Sequence, residues 1–522
     1  MKRFISLILC AAMMLTITAC APKTAQDEYK PIAGLDASKK VTIKIAIPYE
    51  TNKALNSVSN AFMNRYKNVS VQLQYIEDYD VNALKLFKDN ALDMILSKDL
   101  NYNEYTAKNE STSKEEPTGK TTEDYFYNFA ADTEIDFSDT TPDISDNYLH
   151  MRRDENGNEI AYQYSYPLGG ETRGIFVNKT LLNAYNLKIP ANFTELLACC
   201  ETLKQNGLIP IQGGADTAAF GIGLAPAVNP VVHDKEKLAE MAAAKEGVSK
   251  EFTDTFKKIY TLSTNRYFDY KAVEESGSFL STNELGQTES FLGLKNDAQT
   301  FEMILPENNY GYVAFMPYIS STAAVLQSLI DEYKLSTEFT FICSPLVDEG
   351  TNGPAYITPY YGICANKNSE NLIWVREFVN FLFTNENNKL YAADASIIPN
   401  TKDALDFVAE EFHIDSAKDI TLCGQIRFSD KYNGYSPVSS ALKDVMKCSA
   451  RKYMVKLIRD ESGNIQYMTD ENGREYLCLD GSETKIYKEY IGEEDAAMTG
   501  YAFCTLQYYI DNLENKFSGY RL

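Results

Sequence analysis

Apolar residues recur along this chain with two distinct periods. Val41, Ile43, Ile45 and Ile47 alternate with other residues, as do Val69, Val71, Leu73 and Tyr75, and a period of two predicts strands. Between them Leu55, Val58, Phe62 and Tyr66 recur at helical spacing. A second helical stretch runs from about Val81 to Lys88, and Leu92 to Leu96 forms a short apolar run. This βαβαβ order predicts an α/β fold with a parallel sheet and helices packed on its faces.

Elsewhere the pattern breaks in informative ways. Between Asn101 and Asp124 aliphatic residues nearly vanish, and the acidic and polar stretch (101–124) reads as a surface insertion or disordered loop. Strand-like runs flank Asn156-Gly157 and Asn472-Gly473, and each pair reads as a β-hairpin. Asp154, Asn156 and Asn158 alternate like a calcium loop, but the sixth position is Glu159 where that turn needs glycine. Asn192 and Glu195 fit a capping box opening a helix from Phe193 to Gln205, and Gly207 supplies the left-handed residue that closes it. Trp374 lies on an apolar stripe with Phe378, Phe381 and Leu382, which is the pattern of core packing.

At the N-terminus Lys2 and Arg3 precede a mostly apolar run from Phe4 to Leu15, and Ile17-Thr18-Ala19 leads into Cys20. That is a secretory signal of the bacterial lipoprotein kind. Residues 1–19 are expected to be removed and Cys20 acylated, with residues 20–40 as a lipidated tether. The run is shorter than the roughly 20 residues a membrane span needs, and no later run approaches that length. The lipid, on the extracytoplasmic face, is therefore the expected membrane contact.

Composition narrows the partners. Seventy-three Asp and Glu against 50 Lys and Arg leave a net charge of −23, which repels phosphates and argues against nucleic acid. At 522 residues the chain is too long for one core, and two or three domains are expected. Besides Cys10 and Cys20 there are Cys199, Cys200, Cys343, Cys364, Cys423, Cys448, Cys478 and Cys504, most of them inside apolar patterns, so they read as buried free thiols. His150, His233 and His413 show no ligand spacing, and neither a metal nor another cofactor is expected.

Residues 166 to 210 combine an apolar-Pro start, a strand ending in Asn178-Lys179, a short helix, Pro190, a capped helix and Lys204-x-x-Gly207-x-x-Pro210. Here the chain resembles the extracellular solute-binding proteins (family 1) of carbohydrate ABC importers. The stretch from Tyr356 to Phe383, with Gly362, Asn366-Lys367-x-Ser369 and a long amphipathic helix, is similar to the family's pattern, as are Ile397-Ile398-Pro399 and residues 490–497 with the helix after them. The resemblance covers nearly all of 41–522 outside 101–124. It implies a type II periplasmic-binding-protein-like fold, with two α/β lobes, crossing strands and a hinge that closes them on a ligand. Lobe one would take 41–174 plus 360–400 and lobe two 175–358 plus 401–522, with crossings near Arg173 to Phe176 and Thr358 to Gly362. The function implied is a lipid-anchored receptor that passes a small solute, a sugar or oligosaccharide, to ABC permease subunits.

A sugar cleft needs carboxylates and amides for hydroxyls, and aromatic rings for C–H faces. In open α/β sheets such groups project from loops at the carboxyl ends of strands. That rule selects Tyr49 and Glu50 after the first strand and Ser97, Lys98 and Asp99 after the third. Carried over from the resemblance, Glu171 lies in the first crossing and Tyr318 follows Ala314-Phe315-Met316-Pro317, the two facing one cleft from opposite lobes. Tyr360 and Tyr361 precede Gly362 at the second crossing. Glu171 also has a simpler reading as an ion-pair partner of Arg173. No carboxylate pair or nucleophile motif marks an enzyme, so a secreted hydrolase is a remote alternative, and a surface sensor or adhesin derived from a binding protein is a nearer one.

Overall fold

The computed structural model describes residues 29–48, 52–108, 115–212, 219–268, 313–404, 420–422 and 427–518, apart from a few positions inside these spans. Cys20, Tyr49, Glu50 and Cys423 lie outside the described residues.

Strand β1 (Val41–Ile47) pairs parallel with β2 (Val69–Tyr75), Val41 opposite Val69 through Ile47 opposite Tyr75. The helix between them, Lys53–Arg65, starts where the Asn52 side chain accepts the Leu55 amide, and it buries Leu55, Val58 and Phe62. A second helix, Tyr79–Lys88, leads to β3 (Met94–Ser97), parallel to β1 on its other edge. The βαβαβ expectation is met.

Of the two readings of residues 101–124, a surface insertion or a disordered loop, the described residues contradict the second. Strands β4 (Glu104–Lys108) and β5 (Glu115–Thr121) pair antiparallel, and Thr122–Asp124 form a helical turn capped by Thr121 and Asp124. Backbone pairing needs no apolar side chains, so the polar composition concealed a ladder. The base of the hairpin is held tightly: Thr122 is 1% exposed, its amide donates to the Asn103 carbonyl at 3.0 Å, and the Asn103 amide donates to its hydroxyl at 2.9 Å. The Lys88 ammonium lies 3.3 Å from the centre of the Tyr105 ring.

After the hairpin of β6 (His150–Arg153) and β7 (Glu159–Tyr162), turned at Gly157 with φ +83°, the chain enters β8 (Tyr166–Pro167). One residue later β9 (Gly169–Asn178) opens a second sheet. The helix Phe193–Gln205 is capped as expected, Asn192 accepting from the Glu195 amide at 3.0 Å, with Gly207 at φ +74° closing it. Then follow β10 (Ile209–Ile211), β11 (Val313–Ile319), β12 (Phe339–Ile342), β13 (Ala355–Pro359), β14 (Gly362–Ala365), β15 (Ile398–Pro399) and β16 (Ile420–Leu422). The second sheet has the order β10-β11-β9-β13-β16, with β12 and β15 also paired to β9. Strand β14 returns to the first sheet, antiparallel to its neighbours, giving β2-β1-β3-β14-β8.

Each sheet has its own core. Around the first, Phe62 meets Phe378 and Phe381 edge-on at 5.1 and 5.3 Å, and Trp374 packs on Tyr66 at 5.3 Å as a core residue. Around the second, Leu196, Phe256, Leu442, Val445, Leu513 and Phe517 are enclosed together, so the helices Tyr435–Lys447 and Leu506–Ser518 belong with it. Burying each such side chain contributes about 1.5–3 kcal/mol. The described cysteines are free, and burial pushes the Cys364, Cys448 and Cys504 thiols up to about 12. The tether expected over 20–40 does not extend through Ile32, which is 4% exposed and sits in the first core.

Two predictions follow from this packing. Joining Asn103 to Thr122 through a two-residue turn should leave the unfolding midpoint within about 2 °C, since the ends already meet, whereas deleting 101–123 should lower it by about 4–8 °C through loss of Thr122 and of the Arg152–Glu123 ion pair. Thermal unfolding of both variants checks this; equal midpoints would contradict it. Asp132 receives both the Arg376 guanidinium and the Tyr127 hydroxyl. Burial alone would raise its carboxyl, but these partners outweigh burial and hold it at about 2 instead of 3.8. A depressed carboxyl stabilises above about pH 4 and loses that contribution as pH falls toward about 2. The stability gap between wild type and Asp132→Asn should therefore narrow across that window, measured by denaturation at each pH; a constant gap would contradict it.

Candidate functional site

The chain passes between the sheets at three places that lie side by side. Leu168 alone separates β8 from β9, Tyr360 and Tyr361 separate β13 from β14, and β15 pairs with Gly169 and Gly170 just beside them. The first passage therefore precedes the expected segment from Arg173 to Phe176, which is inside β9; the second falls within the expected Thr358 to Gly362. The passing strands bond to each other, the Tyr360 amide donating to the Gly169 carbonyl at 2.8 Å and the Leu168 amide to the Tyr361 carbonyl at 3.0 Å.

This pairing presents two half-buried tyrosines at the junction. Their rings meet edge-to-face with centres 5.4 Å apart, and the Tyr148 hydroxyl donates to the Tyr360 carbonyl at 3.0 Å. The Lys98 ammonium lies 5.6 Å from the centre of the Tyr361 ring. Burial pushes both phenols well above their ordinary value, and nearby carboxylates push them further: Glu171 acts on both and Asp80 on Tyr361. The phenols stay protonated, so they donate hydrogen bonds at neutral pH.

Glu171 stands on β9 opposite Thr358 and is 6% exposed. Its carboxylate accepts the Ser321 hydroxyl at 2.9 Å and lies 4.0 Å from the Arg173 guanidinium, so the ion-pair reading is also realised. Ser97 ends β3 opposite Gly362, its carbonyl accepting the Ser165 hydroxyl at 3.0 Å. Asp99 is exposed and lies 2.6 Å from His150 Nε2, whose ring stacks on Tyr162 at 5.2 Å.

Tyr318 departs from the expectation. It is 1% exposed on β11 opposite Gly174, and its ring packs with Phe176 in a cluster closed by Met316, Leu326 and Ile330. All seven positions of β11 are buried, so a side chain there meets protein whichever way it points. Tyr318 is accordingly a core residue of the second sheet.

Three neighbours were missed in the sequence. Asp80, in the first turn of the helix Tyr79–Lys88, follows β2 as Lys98 and Asp99 follow β3, and applying the strand-end rule to β2 would have found it. Ser165 and Ser321 carry no sequence signal beyond their position beside strands. Together the junction offers aromatic faces, phenol and serine hydroxyls and carboxylates, which can stack on a solute and hydrogen-bond it. Among the described residues no group of three His, Cys, Asp or Glu is placed to hold a metal, and no helix among them is long and apolar enough to cross a membrane.

Comparison with known proteins matches this architecture. No curated protein sequence matches the chain. Among solved structures, a manno-oligosaccharide specific solute-binding protein from Bifidobacterium animalis subsp. lactis, in complex with mannotriose, is 13% identical with a TM-score of 0.50, covering 93% of this chain and 95% of that one. The apo form of RafE from Streptococcus pneumoniae is 12% identical with a TM-score of 0.49, covering 94% and 100%. A sugar transporter protein from Bacillus licheniformis, in complex with stachyose, is 14% identical with a TM-score of 0.42, covering 78% and 94%. At such identities the first of these speaks for the fold alone, two α/β lobes of the type II periplasmic binding arrangement. A family model described as bacterial extracellular solute-binding protein matches residues 48–389. That span is well over half of the chain, which therefore belongs to the bacterial extracellular solute-binding protein family.

Proposed function

We propose that this solute-binding protein is a lipid-anchored receptor that closes on an uncharged oligosaccharide at the junction of its two lobes and hands it to an ABC permease. The observation that carries the reading is the Tyr360–Tyr361 pair beside Glu171, set where the strands pass between the sheets. Two rings supply stacking faces for sugar C–H groups, while Glu171, Ser321 and the phenols supply acceptors and donors for hydroxyls. The three carboxylates of Glu171, Asp80 and Asp99 outnumber the two nearby cations, Lys98 and Arg173, which disfavours anionic solutes. The mannotriose ligand of the Bifidobacterium protein agrees with this choice of chemical class. Capture and release need no bond-making, and the receptor performs no chemistry of its own. Acylation of Cys20 would keep it beside the permease on the extracytoplasmic face.

The test is a thermal-shift screen of neutral, amino and acidic sugars followed by calorimetric titration. A neutral oligosaccharide at 100 times its dissociation constant should stabilise the protein by about 2.7 kcal/mol. Tyr361→Ala and Glu171→Gln should each weaken binding by about 10- to 100-fold, roughly 1–3 kcal/mol, with little loss of stability. Tyr318→Ala should do the reverse in kind, costing about 3–5 kcal/mol of stability through the cavity it opens. Unchanged affinity in both cleft variants would place the site elsewhere, and preference for an acidic sugar would refute the charge argument.

A further inference from the structure

The carboxylate of Glu377 is fully enclosed on the helix Leu372–Leu382, and it is satisfied chiefly by a segment from the other end of the chain. The Tyr29 hydroxyl donates to it at 2.6 Å and the Ile32 amide at 2.8 Å, while Tyr66 from the helix Lys53–Arg65 supplies a third donor. One turn along, Asn380 Nδ2 donates to the Lys30 carbonyl at 3.0 Å. The same segment is held by packing: the Tyr29 ring meets Phe381 edge-on at 5.8 Å, the Arg65 guanidinium stands 4.3 Å from its centre, and Ile32 enters the first core. A buried carboxylate is tolerated only with its donors in place, so removing the segment would strip Glu377 of two of them.

We propose that Tyr29–Ile32 is a strap that fastens the anchoring end of the chain to lobe one, making lobe one the half held at the membrane and lobe two the half that swings. The strap itself stands on the contacts above; its consequence at the membrane rests on the proposed anchor at Cys20. Whatever course residues 21–28 take, at ~3.5 Å per residue they span at most roughly 30 Å. Were the chain fastened only at β1, residues 21–40 would span roughly 70 Å. The strap thus more than halves the reach of the anchor and places its exit beside the helices Lys53–Arg65 and Leu372–Leu382, which hold Tyr29 and Ile32.

Hydrogen exchange on the full lipidated chain in liposomes tests the strap. The Ile32 amide should be protected at least 100-fold relative to an unstructured peptide, and Tyr29→Ala should cut that protection at least tenfold while leaving the amides of β1 unchanged. Free-peptide exchange at Ile32 in the wild type would overturn the proposal. A dye on Lys67→Cys, an exposed position of lobe one, read by energy transfer to headgroup acceptors in the same liposomes, tests the orientation. Wild type should give stronger transfer than Tyr29→Ala; equal transfer would overturn the claim that the strap sets which lobe is held. If the chain and a Cys20→Ser variant partition to liposomes equally, the anchor reading fails and the membrane consequence with it, an outcome separable from the exchange result.

Discussion

Backbone hydrogen bonds between neighbouring strands run without interruption through the gap that divides the two sheets. At Leu168–Gly169 and Tyr360–Tyr361 the chain leaves one sheet for the other, and there the two segments bond to each other. An unpaired peptide group in such a place would cost as much as a lost hydrogen bond. Pairing requires close approach: a Cβ at Gly169 would overlap the Ile398 carbonyl, and one at Gly362 would overlap the Ser165 hydroxyl. The small residues at these positions are what permit three passages to lie together.

Because each sheet carries a separate core, the junction can bend without opening either one. A change of backbone angles over the few residues between Pro167 and Gly170 and between Pro359 and Gly362 would tilt one lobe against the other. Tyr360 and Tyr361 sit on that axis, flanked by Glu171 from the second sheet and by Lys98 and Asp80 from the first. On the proposed reading a solute lodged there would touch both lobes at once, and its contacts would be completed only when the lobes draw together. Binding energy and closure would then be one event.

Much of this was legible in the chain. The period-two and helical spacings from Val41 to Leu96 announced the first three parallel strands, and Asn192, Glu195 and Gly207 marked both ends of one helix, because those signals are local. The order of turns and capped helices also pointed to the family. Tyr318 misled because its burial on β11 is decided by Phe176, far away in sequence, and by Leu326 and Ile330, which fold back from the segment after the strand. Residues 101–124 misled because a two-stranded ladder satisfies its backbone without apolar side chains. Tyr29 and Ile32 looked like tether because their partner, Glu377, lies more than three hundred residues away. The junction tyrosines were picked out since a strand passage is a feature of chain order, and the same strand-end rule carried to β2 reaches Asp80, whereas Ser165 and Ser321 join them only through tertiary packing.

The central claim is that a solute closes the two lobes by bending at the paired strands. Small-angle scattering of the protein with and without the best-binding oligosaccharide measures this most directly. The account predicts that the radius of gyration falls by roughly 1 Å on saturation, as hinge closure around a ligand requires, and that Tyr361→Ala at the same solute concentration shows a smaller fall. Superimposable scattering curves for the free and saturated wild-type protein would contradict it.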